Sequence, residues 1–546
     1  MIKLRILDKE FIFNSDIYGY ELLSHFKDCK DEIIALKVNN QIVSLSAKID
    51  INAIIKPVFL NTKDGSAIYR RSLCFVLAAS ARKLFPNTRL LVGHSLGYGY
   101  YYTIDDKKVT KEDIASLENL MKSYIEKDFK ISDSYISYAD ACSLLEENGL
   151  FETRKQLTLK CPPKLQVNTM GDFSDLYFGP LTQSTGILKV FELKPYDDGF
   201  LLRFPTHQDH SKLTNFSDNP KIFEIYKNYK QWGKRINVTS SASLNQMIIN
   251  GKINDFIDIA ETFQAQNYAK VAHQIHERQN IKVVLIAGPS SSGKTTSAKK
   301  LALQLQALGY NPKIISLDCY YVGRDKNPKD ENGNYDYECL EALDIQLINQ
   351  NLNDLFDGKE VEIPSYNFDL GQRYYTGNKM TLNKNDILIM EGIHGLNDKL
   401  TPYVDSKFKF KIYLSALTQL NLDDHNRIPT SDNRLIRRIV RDSKFRGKPA
   451  AETIGMWESV QKGERLHIFP FQNNADAVLN TALDYELPVL KVYATPLLRS
   501  VTPEQEEYSE ACRLLRFLDN FNEIPENYIP KQSIVREFIG GSSFHY

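Results

Sequence analysis

The sequence has no surplus charge of either sign. Lysine plus arginine and aspartate plus glutamate number 68 each, so bulk electrostatics argue neither for nucleic acid nor against it, and any basic surface has to be local. The seven cysteines are scattered, odd in number and never spaced Cys-x-x-Cys, which speaks against a zinc knuckle and a disulfide framework and fits a reducing cytoplasm. No apolar run approaches the roughly 18 residues that a membrane span needs. The start, MIKLRILDKEFIF, mixes charge into its apolar residues instead of forming a signal-peptide core. There is no repeat of solenoid length and no low-complexity tract. The expectation is a cytoplasmic chain without membrane association, and 546 residues suggest about three or four domains at roughly 100–200 residues each.

What is present comes in two styles. Residues 1–60 alternate short apolar runs with turn signals: KLRIL, then IIALKVNNQIVSL with Asn39-Asn40 at its bend, then PVFLN before Asp64-Gly65. That pattern predicts a small β-rich module. From about Ser66 to Leu84 the apolar spacing turns helical, and Pro86 stops it. LLVGHSLGYGYYYTI predicts a hairpin or a bulged strand, with Tyr98 to Tyr102 expected to pack in the strand and an RNA-facing stacking platform as the alternative. TKEDIASLENLMKSYIEKDF predicts a helix capped by Thr110. Residues 150–260 carry weaker signals, with loops expected at Pro162-Pro163 and around THQDHSKLTNFSDNP. Helical patterning resumes near Leu244 and runs to about residue 279. From Lys282 onward, strand and helix patterns alternate as in a parallel α/β sheet.

The stretch Gly288-Pro-Ser290-Ser291-Ser292-Gly293-Lys294-Thr295 matches G-x-x-x-x-G-K-[ST]. Its flanks strengthen the match, because KVVLIA before it reads as a buried parallel strand and TTSAKKLALQLQALG after it as a helix ending at Gly309. Glycines let main-chain amides close on phosphate oxygens at a helix N-terminus, Lys294 adds a point charge, and Thr295 offers a hydroxyl to Mg²⁺. The strand in DILIMEGIHGL delivers Glu391 to the carboxyl edge of the sheet as a candidate Mg²⁺ ligand, direct or through water. KIISLDCYY delivers Asp318 to the same edge, as a proton acceptor or a metal ligand. In DNRLIRRIVRDSKFRGK, helical spacing gathers Arg434, Arg438 and Arg441 on one stripe with Arg437 beside them, a candidate lid over a nucleotide, with a solvated or RNA-binding basic helix as the alternative.

Seven blocks, from GPSSSGKTT through LDCYY, NYDYECLEALD, IPSYNFDLGQR, IMEGIHGL and DNRLIRRIVRDSKFRG to NADAVLN, fall in order over about 282–490. The region resembles the uridine kinase and phosphoribulokinase branch of the P-loop kinases. The resemblance implies Asp318 as general base for a sugar 5′-hydroxyl with Tyr321 nearby, Asp336 on ribose hydroxyls, and Tyr366 with Phe368 lining a nucleobase pocket. It also implies Arg373 on substrate, Arg438 and Arg441 on substrate and phosphate, and the loop from Gly288 to Thr296 on ATP. Gly371 departs from it, standing where uridine and cytidine kinases carry a histidine that reads the base, so the identity of the base does not follow.

The first half is similar to threonyl-tRNA synthetases. Residues 1–60 resemble their ubiquitin-like TGS module, and about 61–200 resemble the editing-type domain that follows it, through RRSLCFVLAASARKLFP, VGHSLGYGYYY and EDIASLENLMKSYI. That domain holds a metal with H-x-x-x-H and C-x-x-x-H, whose matching positions here are Arg71, Phe75, Gly171 and Asp175. Arg and Phe cannot replace imidazoles, so no hydrolytic editing is expected. The pairs His207/His210 and His273/His276 are expected to be surface or packing residues.

The expected fold class is therefore multidomain α/β: a TGS-like β-grasp module (1–60), an editing-like α+β domain with a helical connector (61–260), a P-loop kinase domain with a mostly parallel sheet (265–500), and a C-terminal extension (501–546). The glycine-rich end, GGSS, reads equally as a free tail or a docked arm. The expected activity is Mg²⁺- and ATP-dependent phosphoryl transfer to a nucleoside 5′-hydroxyl. A kinase for another sugar-type substrate, or an ATPase switch that binds RNA or protein, remain the alternatives. A homo-oligomer is compatible with the sequence and not implied by it.

Overall fold

The structure, a computed structural model, describes every residue except 106, 330, 332, 334, 368, 369 and 546. The chain resolves into two compact units: 1–251 with 419–429 and 495–523, and 252–418 with 430–494 and 524–546.

The first unit opens with the expected β-rich module. Ile2–Ile6 alternates buried and exposed side chains, as a strand with one face on a core must. It lies antiparallel to Lys9–Phe13 and parallel to Ala53–Phe59, which in turn pairs with Ile33–Val38 and, through it, with Gln41–Ser44. Asn39 and Asn40 both take positive φ (48° and 59°), the conformation of a two-residue hairpin turn and a reason for asparagine at both places. The helix Lys63–Leu84 begins three residues ahead of its expected start because Thr62 caps it, accepting from the Gly65 amide. Leu90–Ser95 and Gly99–Ile104 form a hairpin with a register shift, so both forms expected of that stretch are present. They join Gly199–Arg203 and Glu192–Tyr196 in a four-stranded sheet. Tyr101 and Tyr102 are buried within it, as expected of packing residues, whereas Tyr98, ahead of the strand, is exposed. Lys111–Glu126 starts on a Thr110–Asp113 capping box.

Three helices escape the periodicity reading: Tyr138–Glu147 ahead of the weakly patterned region, and Phe151–Thr158 and Pro220–Arg235 within it. The expected loop around 204–219 is present.

The second unit contains a five-stranded, wholly parallel sheet in the order Asn311–Ser316, Asp386–Glu391, Val283–Ala287, Lys409–Ser415, Ala477–Asn480. The central strands are buried on both faces, which is why KVVLIA runs apolar without alternation. Leu301 and Leu305 of the helix Lys294–Ala307 pack with Val284, Ile286, Ile389 and Ile412 on one side. Ile348, Leu352 and Leu355 of the helix Ile345–Phe356 close the other side. This is the P-loop α/β architecture expected from the strand–loop–helix motif. Among the described residues, no helix is long and apolar enough to cross a membrane.

Candidate functional site

The loop between the Val283–Ala287 strand and the Lys294–Ala307 helix is shaped by two left-handed residues, Ser291 (φ 58°) and Gly293 (φ 83°). A Cβ at Gly288 would meet the Leu414 carbonyl and the Ser292 hydroxyl at 2.7 Å, so glycine is required there by space. Lys294 Nζ bends back onto the Gly288 and Pro289 carbonyls at 3.1 and 3.3 Å.

Outside the loop stands a brace that the sequence reading did not find. Arg434 donates to the Ser290 carbonyl at 3.1 Å, Arg437 to the Ser291 carbonyl at 3.2 Å, and the Thr481 hydroxyl to the Ser292 carbonyl at 2.6 Å. With three successive carbonyls held outward, the loop is fixed before any ligand arrives. Arg434 is itself clamped by both oxygens of buried Glu464, and Arg437 by buried Glu486. The expected stripe of phosphate-facing arginines on Thr430–Arg446 is therefore corrected in part. Arg434 and Arg437 are buried and committed to the scaffold, because a guanidinium taken out of water needs a carboxylate partner. Arg438 reaches the Ser290 hydroxyl at 2.7 Å and pairs with Asp442 at 3.2 Å, and Arg441 pairs with Asp442 at 2.8 Å. These two remain at the mouth of the loop. Glu464, Glu486 and Thr481 carry no motif of their own, since their role exists only once distant segments meet.

The carboxylates expected at the sheet edge are there. The Thr295 hydroxyl donates to Glu391 Oε1 at 3.2 Å. Burial, then the neighbouring Asp318 carboxylate, push the Glu391 carboxyl up to about 7, against the opposing pull of Lys294. Asp318 keeps water-accessible surface, yet desolvation by the cleft raises its carboxyl as well, opposed by Lys294, Arg446 and Arg441. Two carboxylates and a hydroxyl form a hard oxygen set. It suits Mg²⁺, an ion held by one or two carboxylates and completed by water and phosphate oxygens, and does not suit a soft metal. The site residues thus fit an ATP·Mg²⁺ complex.

Among the other expected site residues, the Tyr321 ring lies 5.5 Å from that of Tyr366, and its hydroxyl donates to the Tyr337 carbonyl at 3.2 Å. Asp336 accepts from the Glu338 amide at 3.0 Å and faces His467 at 3.9 Å. Tyr366 and Arg373 are cross-strand partners, but Arg373 is paired with Asp344 at 2.8 Å. Phe368 lies outside the described residues. Gly371 has φ +65°, and a Cβ there would come within 2.8 Å of Arg324 Nε. A side chain at this position would take a left-handed backbone and would have to displace the Arg324 side chain, so glycine suits the observed conformation. The sequence reading missed Glu338, which burial, then Glu464, push up to about 7. Thr296 and Ser290 hold protein partners: Thr296 bonds Glu537, and the Ser290 amide bonds Glu464 at 3.1 Å.

In the first unit, Arg71 donates to the Pro180 carbonyl at 2.8 Å, and Phe75 is fully buried against Phe173 and Tyr177. Gly171 sits at a turn with φ +62°, and Asp175 is buried on His425 Nδ1 at 2.7 Å. His210 stands edge-on to Tyr69, and His276 bonds the Tyr310 hydroxyl.

The chain is similar to known proteins in two regions. Residues 283–487 match the profile of the phosphoribulokinase / uridine kinase family. A uridine kinase of Macrococcus caseolyticus is 32% identical over 199 residues, 36% of this chain and 86% of that protein. The chain belongs to the phosphoribulokinase / uridine kinase family. Its N-terminal region matches a threonine–tRNA ligase of Wolbachia sp. subsp. Brugia malayi, 30% identical over 199 residues, which is 35% of this chain. The chain spans only 31% of that ligase's length. A solved structure of a possible uridine kinase from Bacillus stearothermophilus aligns with 37% of this chain and 89% of its own, at 20% identity and a TM-score of 0.25.

Proposed function

We propose that the chain transfers the γ-phosphoryl group of ATP, bound with Mg²⁺, to the 5′-hydroxyl of a nucleoside. The reading rests on one observation above the others: Lys294, Thr295, Glu391 and Asp318 converge at the carboxyl edge of the sheet, beside a loop already held in shape. In this reading the loop amides and Lys294 hold the outer phosphates. Asp318 accepts the proton of the attacking hydroxyl as the new oxygen–phosphorus bond forms and the bond to the β-phosphate bridging oxygen breaks, releasing ADP. Arg438 and Arg441 neutralise charge on the equatorial oxygens. The bound Mg²⁺ supplies charge neutralisation on the phosphates, and Thr295 and Glu391 are the residues that would hold it. Tyr321 and Tyr366 wall the acceptor, with Asp336 within reach of its hydroxyls. Arg373, paired with Asp344, orients the hairpin that carries Tyr366.

We assign residues 1–60 to a TGS-like module, 61–260 to an editing-like domain without its metal, 265–500 to the kinase domain and 501–546 to an extension. Because Gly371 removes a base-edge contact, the deciding experiment pairs labelled ATP with a panel of nucleosides and free pentoses. Phosphorylation of a nucleoside at its 5′ position supports the proposal. Transfer to pentoses alone reassigns the acceptor, and ATP hydrolysis that needs no acceptor and rises with RNA refutes it.

A further inference from the structure

The C-terminal segment of the second unit ends on the phosphate loop. Ile534, Val535, Phe538 and Ile539 are fully buried, and Ser533 bonds the Tyr485 hydroxyl at 3.0 Å. The Phe538 ring lies 4.9 Å under the Arg437 guanidinium, and Lys444 donates to the Ile539 carbonyl. Gly540, with φ +83°, ends the short helix Arg536–Ile539 against Lys444. Residues 533–540, up to the first glycine of GGSS, are thus docked within this unit, while Gly541 and Ser543 beyond them are exposed.

This docking carries one carboxylate into the anion site. Glu537 Oε2 accepts from the Thr296 amide at 3.2 Å and also from the Thr296 hydroxyl. Thr296 is fully buried in the first turn of the helix Lys294–Ala307, whose N-cap, Gly293, offers no side chain. Ile534 packs against the bare Gly293 backbone so closely that a Cβ there would overlap it. Amides and hydroxyls of a first helical turn behind a glycine loop are the groups that receive nucleotide phosphate oxygens. A carboxylate on the same amide and hydroxyl is an anion in the place of another anion, delivered by a residue 241 positions away in sequence. An ordinary cap comes from the residue adjoining the helix.

We propose that Glu537 is a built-in competitor for the nucleotide: its carboxylate occupies a phosphate position at Thr296 and must leave before ATP is fully engaged. This inference rests on the kinase reading above. The docked segment is then a brake on ATP affinity, because apparent affinity falls by the fraction of molecules whose site is open.

The test is a calorimetric titration of the full chain with Mg²⁺·ATP, for the natural sequence, Glu537→Gln and Glu537→Ala. The exposed Glu506→Gln serves as control. Glutamine keeps the size and loses the charge, so at least one variant retains the docked fold, which thermal unfolding verifies. With the open form near one molecule in ten, both variants bind ATP about tenfold more tightly, and the control is unchanged. Equal or weaker binding by folded variants, while the natural sequence binds ATP, overturns the competitor and leaves the kinase reading standing. If neither the natural chain nor its variants bind ATP, the kinase reading falls and the competitor falls with it.

Discussion

The helices Lys63–Leu84 and Lys294–Ala307 each carry positions that the sequence resemblances mark as reactive, and the two treat those positions differently. In the second unit, the polar residues of the phosphate loop remain, and buried scaffolding is spent on holding them: Arg434, Arg437 and Thr481 pin three carbonyls of a loop only a few residues long. In the first unit the helix is present, and the positions that the resemblance gives to imidazoles are taken up in packing and main-chain hydrogen bonding. The position of one expected imidazole is now Phe75, fully buried between Phe173 and Tyr177. The other is Arg71, bonded to a carbonyl and lowered to about 10, chiefly by burial. A fold survives on packing, whereas a site survives only if polar groups remain aimed at something outside the protein.

That contrast can be broken in order of effect. Lys294→Ala should lower phosphoryl transfer by about 10³-fold or more, on the scale of removing a preorganised charge from a transition state, with an unchanged folded spectrum. Undiminished turnover would end the assignment of the loop. Next come two stability measurements by urea unfolding, one in each unit. Phe75→Ala should cost about 3–5 kcal/mol, as a deleted core ring does, with no effect on ATP binding by the loop. Arg437→Met should cost roughly 3 kcal/mol, because Glu486 is left buried with only Asn433 and the Leu483 amide as donors. It should also weaken ATP binding by loosening Ser291. If both variants affect ATP binding alike, the division between packing and site is wrong.

The smallest effect concerns pH. The Glu391 carboxyl, raised from 4.5 to about 7, holds its proton more tightly in the folded chain than in the unfolded one. Its contribution to stability is therefore largest below about pH 4.5 and is lost as the pH rises through 7, in the absence of a cation. Mg²⁺ binding runs the other way, since the ion needs the ionised form, and should weaken about tenfold between pH 7.5 and 6. Comparing Mg²⁺ titrations of the natural chain with Glu391→Gln isolates this group. A pH dependence that persists in the variant places the titration elsewhere.

Much of the fold was legible where local signals agree with tertiary ones. Asn39-Asn40, Thr110 with Asp113, and the strand–loop–helix around residue 288 each combine a turn or cap requirement with a matching apolar period. The helix Pro220–Arg235 was legible and not read, since Asn219 and Pro220 supply a cap and a first-turn proline. The helices Tyr138–Glu147 and Phe151–Thr158 bury only a few side chains each, which leaves little periodicity to detect. For the candidate site, Lys294, Thr295, Glu391 and Asp318 came from motif and strand ends. Their supports did not, because Glu464, Glu486, Thr481 and Glu537 are single polar residues in segments of unremarkable pattern.

The sequence by itself determined the β-rich module, the capped helices at 63–84 and 111–126, and the strand–loop–helix with its Lys294, Thr295, Glu391 and Asp318 near the sheet edge, because periodicity, caps and glycine positions are properties of neighbouring residues. Only the tertiary structure decided which arginines are locked on buried glutamates and which sit on Asp442, that the backbone at Gly371 is left-handed beside Arg324, and that a carboxylate from the far end of the chain rests on Thr296. Those outcomes depend on burial and on pairing across hundreds of residues, and a charge has no defined partner until the chain has folded around it.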